Sequence, residues 1–229
     1  MYFDVYYLIL VLPAVLLAAL ASANVNSTFN KYSKVMSARR MTGADAARRI
    51  LDSNGLYNVA INRVAGDLTD HYDPRNNTVN LSSSVYDNCS VAAIGVAAHE
   101  AGHAVQHAIG YTPIKIRTAI IPVTQFASNL AMPLVLIGII LSYPALAYLG
   151  CIFFGTATLF QLVTLPVEFN ASNRALKALE GSGILGTQEI QGSKRVLTAA
   201  ALTYVAALAV SLAQLLRLLL LVGNGRRRR

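Results

Sequence analysis

Apolar residues along this chain come in long runs, separated by shorter stretches of mixed polarity. Tyr6–Ala23 contains no charged residue. Ala119–Leu165 is uncharged throughout. It is too long for one crossing of a bilayer, whose hydrocarbon core takes about 20 helical residues. Near its middle lies Ser142-Tyr143-Pro144, where a turn would fold it into a hairpin of two spans. Val196–Val222 is long enough to cross once, with Arg217 near its far end. The pattern predicts about four transmembrane helices.

The polar stretches carry shorter periodicities. MTGADAARRILDSNGL, residues 41–56, reads as a helix with Thr42 and Asp45 as a capping box and Gly55 as its stop. YNVAINRVAG, from Tyr57, alternates and reads as a strand. The following LTDHYDPRNNTVNLS reads as two short strands around Pro74–Asn77. SVAAIGVAAHEAGHAVQHAIG reads as a helix over 90–109, with Ser90 as N-cap and Gly110 as its stop. No repeat or low-complexity linker is visible. The segments expected are an anchor over 1–23, a polar part over 24–117, a hairpin over 118–165, a second polar part over 166–195, a last span over 196–222 and a basic tail over 223–229.

Composition agrees with a membrane protein. Of 229 residues 55% are apolar and 13% are charged, about half the charged share of a soluble domain. The net charge of +8 does not point to nucleic acid, because the basic residues flank apolar runs. A cleaved signal peptide is not expected: MYFDVYY has no Lys or Arg and carries Asp4. Lys31, Lys34, Arg39, Arg40, Lys115, Arg117, Arg174, Lys177, Lys194 and Arg195 fall on one side of four spans, which predicts that side to be the cytoplasm. Arg226–Arg229 stands against that orientation. Cys89 and Cys151 make no disulfide framework, and a cytoplasmic domain needs none.

One helix changes the picture from anchor to chemistry. Three of the four histidines lie at 99, 103 and 107, and His99-Glu100-Ala101-Gly102-His103 is an H-E-x-x-H motif. On a helix, positions i and i+4 share a face, so both imidazoles can reach one ion. Glu100 is rotated toward the open side, where it can take a proton from water. Ala101 and Gly102 are small enough to admit a neighbouring element. A catalytic zinc needs a third protein ligand and an open position. A metzincin third histidine would fall at position 109, which is Ile109, and His107 lies too far along the axis. No Asp follows Asp87, which leaves Glu168, Glu180 and Glu189. Glu180 reads as a solvated helix end and Glu189 as part of a polar loop. Glu168 follows Pro166, which can open a helix as the chain leaves the third span. The expected ligands of one Zn2+ are therefore His99, His103 and Glu168.

An anchor, DHYDP at 70–74, VNLS at 79–82, AAHEAGH at 97–103, an apolar hairpin and PVEFNASNRAL at 166–176 together resemble the YugP-like family of predicted bacterial membrane zinc metallopeptidases. The resemblance covers nearly the whole chain. The layout is also similar to membrane CAAX-type peptidases. The resemblance implies a gluzincin-type protease in a bacterial cell membrane. It implies a mainly α membrane protein with a small α+β gluzincin-like zinc peptidase domain at the cytoplasmic membrane face. Two positions depart from the resemblance: related gluzincins often place an Asp four residues after the ligand Glu to orient a metal-binding histidine, where this chain has Ser172, and the family usually has Asp where this chain has Asn170. An amide or hydroxyl there can still accept an imidazole N–H.

The expected chemistry is hydrolysis of polypeptide substrates with Glu100 as general base. The lipid bilayer is the other expected partner, nucleic acid is not one, and no protein partner is indicated. An oxyanion donor is needed, and His71, Tyr72 and Arg174 are candidates. The substrate backbone could add as a strand along Thr78, Val79, Asn80, Leu81 and Ser82. Three rivals remain on this reading: a metal-binding scaffold without catalysis, a protease with its motif inside a span, and an iron oxygenase. A scaffold has no use for Glu100. An intramembrane site would draw an Asp from a later segment, and none exists. Glu100 directly after the first histidine favours zinc over iron.

Overall fold

The computed structural model describes residues 4–227, with side chains through Gly223. The side chains of the Arg226–Arg229 run lie outside the described residues. The chain is mostly helical. Helix α1, Leu12–Tyr32, continues from a π-helical turn over Tyr7–Val11. Then come α2 (Gly43–Ser53), β1 (Ala60–Val64), β2 (His71–Asp73), β3 (Thr78–Ser82), the short α3 (Ser83–Tyr86) and α4 (Val91–Ala108). The long helices α5 (Thr112–Ile140), α6 (Pro144–Gly181) and α7 (Thr187–Arg227) complete the order. Among the described residues four helices are long and apolar enough to cross a membrane: Tyr7–Tyr32, Thr112–Ile140, Pro144–Gly181 and Thr187–Gly223.

Local chemistry explains the element ends. Thr42 and Asp45 form the reciprocal capping box, with the Asp45 N–H donating to Thr42 Oγ1 at 3.1 Å and the Thr42 N–H donating to Asp45 Oδ2 at 3.1 Å. Ser90 caps α4 by accepting from the Ala93 N–H at 3.2 Å. The helix stops at Gly110, whose φ of 68° lies in the left-handed region that glycine enters without strain. The turn between α5 and α6 passes through Ser142.

Two compact units divide the chain. Within the described residues, one comprises those up to Ser22, Ile116–Pro166 and those from Thr203 onward. Its interior is small, with Val135, Ala147, Cys151, Leu218 and Val222 at its centre. Large apolar side chains such as Leu20, Ile140 and Ile152 point outward, as expected of a surface solvated by lipid. Arg217 does not stand alone there: its Nε and Nη2 bond Asp4 Oδ2 at 2.6 and 2.5 Å.

The second unit comprises Ala23–Lys115 and Val167–Leu202. Its core joins Ile50 and Leu51 of α2, Val79 and Leu81 of β3, the alanines of α4 and Leu179 of α6. The sheet order is β1-β3-β2, with β1 parallel and β2 antiparallel to β3. This corrects the expectation of an added substrate strand along Thr78–Ser82. That strand is central, both of its edges are already paired, and it is buried from Val79 to Ser82.

Two further expectations change. Pro166 does not open a helix: it lies inside α6, which runs unbroken from Pro144 to Gly181. A proline removes one main-chain donor, and long apolar helices absorb that loss, as α5 does twice at Pro122 and Pro133. Glu189 is not in a loop. It sits in the first turn of α7, accepting from the Gly186 and Ala38 N–H groups, each at 2.7 Å.

Helices α4 and α6 meet at Gly102. A Cβ there would stand 2.9 Å from the Ala171 main-chain oxygen, so a side chain would push backbone against backbone. Gly102→Ala is therefore expected to cost about 1–3 kcal/mol through overpacking. Gly155, also in α6, has nothing within 4 Å of its would-be Cβ. Thermal melts of the detergent-solubilised protein should show a drop for Gly102→Ala and none for Gly155→Ala.

Candidate metal centre

The close approach at Gly102 sets two polar pairs face to face. On α4, His99 and His103 are one turn apart. On α6, Glu168 and Ser172 repeat the same i, i+4 spacing. Glu168 Oε2 lies 3.3 Å from His99 Nε2 and 3.6 Å from His103 Nε2. The two imidazoles meet edge to face, with centroids 4.7 Å apart. One ligand atom from each of His99, His103 and Glu168 lies within 4.8 Å of the others, a group that can hold a metal ion. The Glu168 side chain is only 2% exposed. Two imidazole nitrogens and one carboxylate oxygen suit zinc, and three protein donors leave a position open.

The outer nitrogens of both rings are also engaged. His99 Nδ1 is 3.1 Å from Ser172 Oγ. His103 Nδ1 is 3.0 Å from Gln106 Oε1. The Gln106 amide nitrogen donates to the Val167 carbonyl at 2.9 Å and to Asn170 Oδ1 at 3.0 Å. Its oxygen must then face His103, and an amide oxygen can only accept. His103 Nδ1 therefore carries a proton, and its Nε2 points toward Glu168 and the open side, donating to the carboxylate when the ring is charged and offering a lone pair to an ion when it is neutral. Arg174 Nε donates to Asn170 Oδ1 at 2.7 Å, which continues the chain outward. Burial disfavours a charged His103. The hydrogen bond to Glu168 and the nearby Glu100 outweigh that and raise its pKa above the ordinary histidine value.

Glu100 is 8% exposed, and among the described residues its carboxylate has no hydrogen-bond partner. Neither of its oxygens is shut off from solvent, so the carboxylate stays within reach of water.

The other candidates separate. Ser172 touches a ring directly, whereas Asn170 reaches His103 only through Gln106. His71 lies on β2 outside the cluster, exposed, with Nδ1 at 2.8 Å from the Thr69 carbonyl and Nε2 at 3.2 Å from Asn80 Nδ2. The Tyr72 hydroxyl donates to Asn77 Oδ1 at 2.9 Å, and its ring packs on His107 with centroids 5.3 Å apart. Burial, then the neighbouring Asp73, raises the Tyr72 pKa, which keeps that hydroxyl protonated. DHYDP is a hairpin device. Asp70 accepts from the Ser82 N–H at 2.7 Å and from its hydroxyl. Asp73 accepts from the Arg75 N–H at 2.8 Å, the largest cause of its lowered pKa.

Gln106 was the residue the sequence reading missed. Its signal was a polar side chain three residues after His103, on the same helix face as the two histidines, and here it is fully buried.

No solved structure matches this chain. It is 49% identical over 220 residues to "Putative membrane protease YugP" of Bacillus subtilis (strain 168), covering 96% of this chain and 98% of that protein. A family model described as "Putative neutral zinc metallopeptidase" matches residues 7–223. With the paired helices holding two imidazoles against a carboxylate, and a match over almost its whole length, the chain belongs to this family of zinc metallopeptidases.

Proposed function

We propose that this protein is a membrane-embedded, gluzincin-type zinc endopeptidase acting on membrane-associated or unfolded polypeptides. The observation that carries the reading is the convergence of His99, His103 and Glu168 beside an unpartnered Glu100. In this reading the three converging side chains hold one Zn2+. Gln106 and Ser172 orient the two imidazoles, so the ligands are arranged before the ion arrives. When bound, zinc supplies Lewis acidity that polarises the scissile carbonyl and acidifies the attacking water. Glu100 takes the proton from that water and delivers it to the leaving amine. Its freedom from hydrogen bonds leaves both oxygens available for that transfer.

The rival in which the motif lies within a span gains no support from the helices. α4, which carries the motif, is not among the four long apolar ones. The reading as a scaffold without catalysis gives Glu100 no role.

Glu100→Gln is expected to abolish cleavage of an unfolded protein substrate while retaining zinc at wild-type stoichiometry. Glu168→Ala is expected to lose both, and Glu180→Ala to keep both. Elemental analysis beside a cleavage assay in detergent separates these outcomes. Stoichiometric zinc and normal turnover in Glu168→Ala would remove Glu168 from the ligand set.

Gln106→Leu is expected to weaken zinc about 10–100-fold, because it removes the acceptor that fixes the His103 tautomer. Asn170→Ala, one bond further out, is expected to weaken it less. Competition with a zinc chelator measures both.

The polar part is proposed to face the cytoplasm, on the Lys/Arg distribution. A Ser53→Cys variant lacking Cys89 and Cys151 is then expected to resist an impermeant thiol reagent in intact cells. Ready labelling would reverse the orientation.

A further inference from the structure

A separate concavity of about 420 Å³ lies between α1 and α7. Lys31, Lys194 and Arg195 line it, with the hydroxyls of Thr28 and Thr198 and the apolar Leu202. No Asp or Glu contributes to its wall. Among the described residues none of the three cations is paired with a carboxylate. The Lys31 ammonium rests 5.7 Å from the Tyr32 ring centroid. The helices come together here because Gly192 lacks a side chain: a Cβ would lie 2.8 Å from the Tyr32 ring.

Position along each helix says what the groove fits. On α1 the uncharged run ends shortly before Lys31, and on α7 Lys194 and Arg195 directly precede the apolar run from Val196. On both helices the groove therefore marks the passage from apolar to charged sequence. That passage is where a bilayer changes from hydrocarbon to headgroup. Three unpaired cations gathered at that level, with hydroxyl donors beside them and an apolar side chain at one end, match a phosphate ester joined to acyl chains. A soluble anion would have no use for the apolar end.

We propose that this groove binds the headgroup of an anionic phospholipid. Lys31, Lys194 and Arg195 hold the phosphate, Thr28 and Thr198 add hydrogen bonds, and the acyl chains leave past Leu202. The site is distinct from the metal centre and uses none of its residues.

The test is native mass spectrometry of the full-length protein in detergent, titrated with short-chain phosphatidylglycerol or phosphatidylcholine. Wild type is expected to retain phosphatidylglycerol in preference. The triple variant Lys31→Gln, Lys194→Gln, Arg195→Gln is expected to bind it on the order of 100-fold more weakly, from about fivefold per basic residue. A control triple variant, Lys34→Gln, Arg39→Gln, Arg75→Gln, removes the same charge elsewhere and is expected to bind as wild type does. If the groove triple variant does not fold, Arg195→Gln alone, with an expected loss of about fivefold, decides. Equal retention of the two lipids, or equal loss in the control variant, overturns the proposal. Competition by inorganic phosphate at the lipid's own concentration overturns it as well, since the groove would then read free phosphate.

Discussion

Contact between the backbones of α4 and α6 is the constraint on which the metal centre depends. Packed helices normally stand about 8–10 Å apart, depending on the side chains at the contact. Gly102 removes the one atom that would hold the helices apart, and Ala171 answers it from the other side. Only then does a carboxylate on one helix reach two imidazoles on the other. The same approach lets Gln106, four positions after Gly102, span to the Val167 carbonyl and Asn170.

The rest of the second unit serves to hold that contact. More than half of the buried residues of α4 are alanine or glycine, so its neighbours settle close at those positions. Ser193 of α7 is an example: it donates to the Val91 carbonyl at 2.8 Å and lies against Gly95. On the other side, Val79 and Leu81 of the central strand seal the core. A strand with two paired edges is a firm wall, which is also why it has no edge left for a substrate.

Much of this was legible in the sequence because it is local. Thr42 with Asp45, Ser90, Gly55 and Gly110 act within a few residues of themselves, and each marks an element end where its chemistry requires one. The H-E-x-x-H spacing is local too, since helix periodicity alone puts both rings on one face. Glu168 needed a longer inference, by elimination among few carboxylates, and the structure brings it to both rings. What was not legible is non-local. Strand order depends on which edges meet, so Thr78–Ser82 could be offered as a strand for substrate when it is the middle one. Pro166 read as a helix start because the rule for proline in soluble helices does not weigh how a long apolar helix absorbs one lost donor. Gln106 was invisible as a partner because its role depends on α6 arriving opposite it.

The neutral character of the groups behind the two rings has a consequence for charge. A divalent cation in this centre would be balanced by Glu168 and Glu100 alone. Gln106 and Ser172 orient their histidines through dipoles and add nothing to that sum. Carboxylates in their places would make the rings better donors, but would add negative charge beside a buried, loaded site whose neighbouring cation, Arg174, is already engaged with Asn170. Gln106 and Ser172 thus trade donor strength for electroneutrality. On that exchange the centre would hold its ion less tightly and exchange it more readily than a site backed by acids.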